Sequence, residues 1–268
     1  MSDAVRAFYT RTVEEEWARM DEHPLEFEMT KRHISEALKP GSEILDLGGG
    51  PGKYAFHYAA LGHSVTLVDI TPANVAFARA HQEKAGVRLR DALVGDARAL
   101  PFLADASFDL VLCMGPLYHL VEESDRAAAI AECKRLVRPG GSIVFAFITR
   151  MAQCMCVLKE FPREVAAWEK TLRYGLATGM NDLDFDTGFT EAFYADPREI
   201  EPMLRRAGLE VLKIAGAEGF GCLREDILKE LDPDSFRLWM DLAYETSEDP
   251  SIIGANEHIV AIAGKGAT

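Results

Sequence analysis

From Ile44 to Thr149 the chain alternates short aliphatic or β-branched runs with helix-patterned stretches, and no other feature constrains its fold as strongly. The runs are Ile44 to Leu47, "HSVTLVDI", "VRLRDALVGD", "FDLVLCMG" and "SIVFAFIT". Between them, "TPANVAFARAHQEKAG" opens with a threonine suited to capping and a proline at the first helical position, and stops at Gly86. "SDRAAAIAECKRLV" reads as another helix, closed by the turn "RPGG". Strands joined by single helices with short links predict a doubly wound α/β parallel sheet, with its ligand beyond the carboxyl ends of the strands. Residues 3 to 38 read as helix broken near His23 and Pro24. Later come a long segment at 150 to 190 with the acidic loop "GMNDLDFDTGF", a helix "DPREIEPMLRRAG", a strand "LEVLKIAG", helical residues 233 to 247 and a last strand "EHIVAIAGK".

The first run ends in "ILDLGGGPGKYA", where Asp46 leads into Gly48, Gly50 and Gly52 before helix-forming residues resume. Alternate glycines let backbone turn sharply and lie flat against a ligand. Asp46 adds a carboxylate that can accept hydrogen bonds from a ligand ammonium or from the loop's own amides. A dinucleotide turn, G-x-G-x-x-G/A, would need a small residue where Lys53 stands, which disfavours a nicotinamide-dependent dehydrogenase.

Three further stretches complete a set. "VTLVD" ends in Asp69, "VGDARALPF" carries Asp96 and Ala97, and "FDLVLCMGPLYHL" precedes "LVRPGGSIVFAF". In this order, over about residues 40 to 150, the chain resembles the class I S-adenosylmethionine-dependent methyltransferases. The resemblance implies a Rossmann-like sheet of seven strands with an antiparallel last strand, and S-adenosyl-L-methionine as cofactor, leaving as S-adenosyl-L-homocysteine. It also implies that Asp69 binds both ribose hydroxyls and that Asp96 lies close to the adenine amino group, with the Ala97 amide beside it. Ile70 and Met114 join Asp46 and the glycines as candidate cofactor contacts. On local grounds Asp69 also suits a helix cap and Asp96 a turn. Residues 1–38 are expected to form a helical cap that closes as a lid over a domain at 39–268, with insertions at about 150–190 and 217–257 that enclose the acceptor.

The loop after the fourth strand speaks to the acceptor. In family members that methylate base or glutamine amines it commonly opens Asn/Asp-Pro-Pro; here Gly115-Pro116-Leu117-Tyr118 keeps the proline and an aromatic without the polar leader. Tyr118 and His119 are the candidate catalytic residues, since imidazole is well tuned to remove a proton near neutral pH. A backbone hydrogen bond at the start of the next helix is the alternative role for His119. Tyr9, Trp17 and Arg19 from the cap, Phe193 and Tyr194 from the opposite side, and His258 before the last strand are candidates for the acceptor pocket, with helix amphipathicity and core packing as competing roles.

Charge and composition exclude other classes. With 43 acids against 29 bases the formal charge is −14, so the average surface repels phosphate backbones and a nucleic-acid partner is disfavoured. The insertion between the last two strands also occurs in enzymes that methylate a carboxyl-bearing wobble uridine of transfer RNA; that reading needs a basic surface, for which Lys31, Arg32, Arg163, Lys170 and Arg173 are available. A cofactor-binding regulator without catalysis is a further alternative. The acidic amino terminus lacks signal-peptide character, no apolar run approaches a membrane span, and the five cysteines lack metal-site spacing. The expectation is a cytoplasmic methyltransferase, monomer or homodimer, without metal or membrane, acting on a small-molecule methyl acceptor.

Overall fold

A computed structural model describes residues 3–181 and 189–266. Its strands are β1 (Glu43–Leu47), β2 (Ser64–Asp69), β3 (Asp91–Val94), β4 (Phe108–Cys113), β5 (Val137–Thr149), β6 (Met180–Asn181), β7 (Ala192–Ala195), β8 (Glu210–Gly216) and β9 (His258–Gly264). The main sheet runs β3-β2-β1-β4-β5-β9-β8, parallel from β3 to β5, with β9 antiparallel to both its neighbours. These are the seven strands expected. Two short ones are additional: β7 runs parallel to Ile148 and Thr149 of β5, and β6 pairs antiparallel to β7. Because Ile148 also pairs with His258 of β9, β7 occupies the edge that β4 vacates when it ends at Cys113.

The apolar runs are unbroken because both sheet faces are buried. Val111 and Cys113, Ile143, Phe145 and Phe147, and Ile259, Ala261 and Ala263 fill one core, while Leu110 and Leu112, Val144, and Val260 and Ile262 fill the other. The "RPGG" turn lies inside β5: pairing jumps from Phe108↔Val137 to Leu110↔Ser142, so residues 138 to 141 bulge out between paired segments.

Helices α1 (Asp3–Arg11), α2 (Val13–Glu22) and α3 (Pro24–Glu36) precede the sheet; α4 (Lys53–Ala60) and α5 (Pro72–Ala85) follow β1 and β2; α6 (Pro116–His119) and α7 (Glu123–Leu136) link β4 to β5. After β5 come α8 (Ala152–Glu160), α9 (Val165–Thr178), α10 (Pro197–Arg206), a 3-10 turn (Gly219–Arg224), α11 (Glu225–Leu228), α12 (Pro233–Glu245) and α13 (Pro250–Ile253). The amino-terminal helices break at Thr12 as well as at His23. Trp17 sets its ring 5.8 Å from Phe56 and 5.5 Å from Phe77, docking α2 on α4 and α5. Leu25 and Met29, fully buried against Met240 and Ala243, dock α3 on α12. Each of those two buried side chains contributes about 2 kcal/mol through apolar area removed from water. Part of the acidic loop, residues 182–188, lies outside the described residues.

Candidate active site

The carboxyl ends of β1 to β4 open into one cleft, which encloses about 1240 Å³ of empty space, part of it open to solvent. Asp46 is the penultimate residue of β1, Asp69 ends β2, Asp96 and Ala97 follow β3, and Met114 to His119 follow β4. Asp69 organises its own end of the cleft. One oxygen accepts the Gly50 amide at 2.9 Å; the other accepts the Thr71 amide at 2.8 Å and the Asn74 side chain at 3.2 Å. Burial raises its carboxyl above the ordinary range, and these hydrogen bonds offset only part of that rise. Asp46 is different. Its Oδ2 is buried without a hydrogen-bond partner, and burial pushes the carboxyl up to about 7. Neither acid has an ion-pair partner among the described residues, so this end of the cleft suits a cation. Asp96 is held lower by Arg98, whose guanidinium lies 2.6 Å from it.

The glycine loop lies backbone to backbone against the turn that follows β4. Gly48 sits at φ +68°, and a Cβ there would come within 2.6 Å of the Pro116 ring; a Cβ on Gly115 would come within 2.7 Å of the Gly48 carbonyl oxygen. Close packing therefore accounts for the missing polar leader of "GPLYHL". Gly52, at φ +99°, starts α4 and faces Leu67 and Phe56 outside the cleft lining.

The other end of the cleft is roofed by the amino-terminal helices, which contribute Tyr9, Glu16, Arg19, Met20, Glu26 and Thr30. Tyr9 reaches His119, its hydroxyl 2.7 Å from Nε2. The His119 Nδ1 lies 3.1 Å from Thr190 Oγ1. Burial pushes this imidazole down to about 4, so it is neutral at physiological pH, with a lone pair on one ring nitrogen. Tyr118, whose phenol burial pushes up, stands beside it, ring centroids 4.7 Å apart. Arg126 donates to the carbonyls of Leu120 and Val121 at 2.6 and 2.8 Å and stacks on Phe193, bracing the turn from behind.

Arg19 donates to both oxygens of Glu26, at 2.9 and 3.2 Å. Against the upward pull of burial, Arg19 and His258 hold the Glu26 carboxyl down at about 2. His258, the first residue of β9, lies 2.6 Å from Glu218 and 3.8 Å from Glu26. A second cavity of about 300 Å³ adjoins here and shares Arg19, Glu26 and His258 with the first. This buried ion-pair array ties the cap to β9 and to the segment after β8.

Of the residues singled out in the sequence, the cleft brings together Tyr9, Arg19, Asp46, Gly48, Gly50, Asp69, Ile70, Asp96, Ala97, Met114, Tyr118, His119 and His258. Trp17, Phe193 and Tyr194 lie elsewhere: Trp17 on α4 and α5, Phe193 in the main core, Tyr194 against Ile148 and Ala152. From the 217–257 segment Ala217 lies on the cleft wall, and Thr190 of the 150–190 segment contacts His119. Glu16, Glu26, Thr30, Tyr54 and Asn74 escaped sequence reasoning. The one signal for Glu26 was the seven-residue spacing from Arg19 across the break at Pro24.

The methyltransferase-domain family matches residues 44–141. A ubiquinone biosynthesis O-methyltransferase of Thiobacillus denitrificans is 31% identical over 176 residues, covering 66% of this chain and 68% of that protein. Another, from Xanthomonas axonopodis pv. citri, is 31% identical over 186 residues, covering 69% and 70%. Among solved structures, a SAM-dependent methyltransferase from Methanosarcina mazei superposes with a TM-score of 0.58 at 21% identity, over 88% of this chain and 97% of that one. At 31% identity over two thirds or more of relatives of named activity, and with the methyltransferase-domain match over the β1 to β5 region, the chain belongs to the class I S-adenosylmethionine-dependent methyltransferases, with S-adenosylmethionine as its cofactor.

Proposed function

We propose that the protein methylates a hydroxyl oxygen on a small-molecule acceptor. The observation that carries this reading is the buried, neutral imidazole of His119 on the wall of the cleft that Asp46 and Asp69 close at its other end. A hydroxyl arrives protonated and gains from a base; a carboxylate or thiolate acceptor would not need one. The printed activity of the relatives, O-methyl transfer, points the same way. Bound in the cleft, S-adenosylmethionine supplies a methyl carbon made electrophilic by its sulfonium, for in-line displacement.

The residues divide the remaining work. Asp69 would take the ribose hydroxyls, Asp46 the amino-acid ammonium, Asp96 and the Ala97 amide the adenine edge, and Ile70 and Met114 its faces. Gly48 and Gly50 let the backbone approach, while Gly52 turns the chain into α4. The unpartnered oxygen of Asp46 fits a ligand that brings its own cation. Residues 1–38 serve as a cap on a catalytic body at 39–268, with Tyr9, Arg19 and Met20 roofing the acceptor end. No helix among the described residues is long and apolar enough to cross a membrane. We place the enzyme in the cytoplasm, as a monomer or homodimer. A transfer-RNA acceptor is disfavoured: Lys31 is paired to Glu28, Arg32 to Asp241 and Arg173 to Glu169, leaving little basic surface.

Calorimetric titration with S-adenosylmethionine and S-adenosylhomocysteine, with NAD as control and Asp69→Ala as comparison, tests the cofactor roles. Expected are micromolar binding of both and a loss of more than about 100-fold in the variant, as removal of a charged hydrogen-bonding anchor implies. Transfer of labelled methyl to catechol, benzoate, benzylamine and thiophenol then tests the acceptor. Label on the catechol oxygen supports the proposal; label confined to nitrogen or sulfur overturns it.

A further inference from the structure

We propose that Tyr9 is a catalytic residue: its hydroxyl takes the acceptor's proton while it passes its own to His119 Nε2, in a relay that Thr190 orients. The proposal rests on the hydroxyl-acceptor reading above and adds a step to it. The relay requires one placing of the protons, which the contacts around His119 accommodate. Thr190 Oγ1 donates to the Glu191 carbonyl at 3.1 Å, which uses its single proton. With that proton on the carbonyl, the 3.1 Å contact with His119 Nδ1 is Nδ1–H donating to the threonine oxygen. The Glu191 carbonyl, 3.5 Å from Nδ1, can likewise only accept. Nε2 therefore carries the lone pair, and the Tyr9 hydroxyl donates to it at 2.7 Å.

The consequence is that His119 does not present its basic nitrogen to the cleft. Tyr9, itself a residue of the cleft lining, covers it, and what remains available to an acceptor is the lone pair of the Tyr9 oxygen. Phe8 packs edge-on to Tyr9 with centroids 5.3 Å apart, and Phe189 lies 5.6 Å from the His119 ring, so aromatic rings flank the relay. Burial holds the Tyr9 phenol well above its ordinary range and the imidazole at about 4, so the resting pair is neutral phenol and neutral imidazole. In the step the acceptor's O–H bond breaks as its oxygen bonds the incoming methyl; that proton goes to Tyr9 and the tyrosine's proton to Nε2. Tyr9 ends as it began, and the positive charge lost from the sulfonium reappears on the imidazole. Net charge in the site is conserved, one cation forming as the other is neutralised.

Two measurements test it. In ¹⁵N-histidine NMR of the complex with S-adenosylhomocysteine, the wild-type His119 should show a protonated Nδ1 and a hydrogen-bonded Nε2, assigned by its absence in His119→Gln. Tyr9→Phe, which keeps the ring packing, should move the Nε2 resonance downfield. Thr190→Val should raise the Nε2–H tautomer. An unchanged spectrum in Tyr9→Phe overturns the relay and needs no acceptor. With catechol as acceptor, Tyr9→Phe and His119→Gln should each lower kcat by about 100-fold or more, with KM and S-adenosylhomocysteine affinity within about threefold, and the double variant should fall no further. If His119→Gln is impaired and Tyr9→Phe is not, the relay is overturned and His119 acts directly. If neither is impaired, the reading of a base-assisted hydroxyl acceptor fails with it.

Discussion

Replacing Asp46 by asparagine should change how stability responds to pH. The carboxyl is buried, and burial, with Asp69 nearby adding to it and the Ala55 amide opposing, moves it from its ordinary 3.8 up to about 7. Between those values the folded protein holds a proton that the unfolded chain has released. Stability contributed at this position is therefore full below about pH 4 and is lost as pH rises to about 7. The displacement is worth about 1.4 kcal/mol per pH unit, about 4 kcal/mol across the window. Asparagine has no such proton. Its stability relative to wild type should rise by up to about 4 kcal/mol between about pH 4 and pH 8 and then level off. Urea denaturation followed by circular dichroism, without cofactor, measures the difference directly. Cofactor affinity should move oppositely, growing with pH through about 7 in the wild type and staying weak and flat in Asp46→Asn, because a ligand ammonium favours the ionised acid. A stability difference that stays constant within about 1 kcal/mol over this range would refute the assignment of a buried, uncompensated carboxyl.

Two further perturbations follow from the same geometry. Gly115→Ala places a methyl 2.7 Å from the Gly48 carbonyl, so a loss of about 1–3 kcal/mol in urea denaturation and weaker S-adenosylhomocysteine binding are expected; wild-type values in both would show that the loop has room. For His258, burial pulls the imidazole down, but Glu26 and Glu218 lift it above its ordinary 6.5 to about 9. Its contribution to stability is therefore full below about pH 6.5 and lost as pH rises through about 9. NMR titration should place the wild-type midpoint near 9 and Glu218→Gln roughly one pH unit or more lower, whereas a wild-type midpoint near 6.5 would remove the ion-pair array from the argument for a fixed cap.

The strand ends were legible because the physics that makes them is local. A strand buried on both faces writes a continuous apolar run, and a polar residue that closes such a run stands where the sheet meets solvent or ligand. Asp46, Asp69 and Asp96 satisfy that rule, and all three reach one cleft. The same reasoning misplaced the aromatic candidates. Phe193 and Tyr194 are adjacent on β7 and point to opposite sides, yet both are buried, one under Arg126 and the other against Ile148, because cores cover both faces there. Trp17 sits on the same helix as Glu16, Arg19 and Met20, but it turns away from the cleft to pack on Phe56, and a hydrophobic pattern does not say which neighbour a helix face will meet.

What the sequence determined by itself, then, was the order of strands and helices, the glycine turn and the acids around it, since each is a matter of neighbouring residues and backbone period. Tertiary structure decided the acceptor end. Tyr9 and His119 are separated by 110 positions and meet at 2.7 Å because α1 to α3 dock across the strand ends. That docking depends on Leu25, Met29 and Trp17 finding partners on α12, α4 and α5, and on Glu26 meeting His258. Such contacts are set by the packing of surfaces brought together by the whole chain, and periodicity, which reports only what is buried, carries no record of what it is buried against.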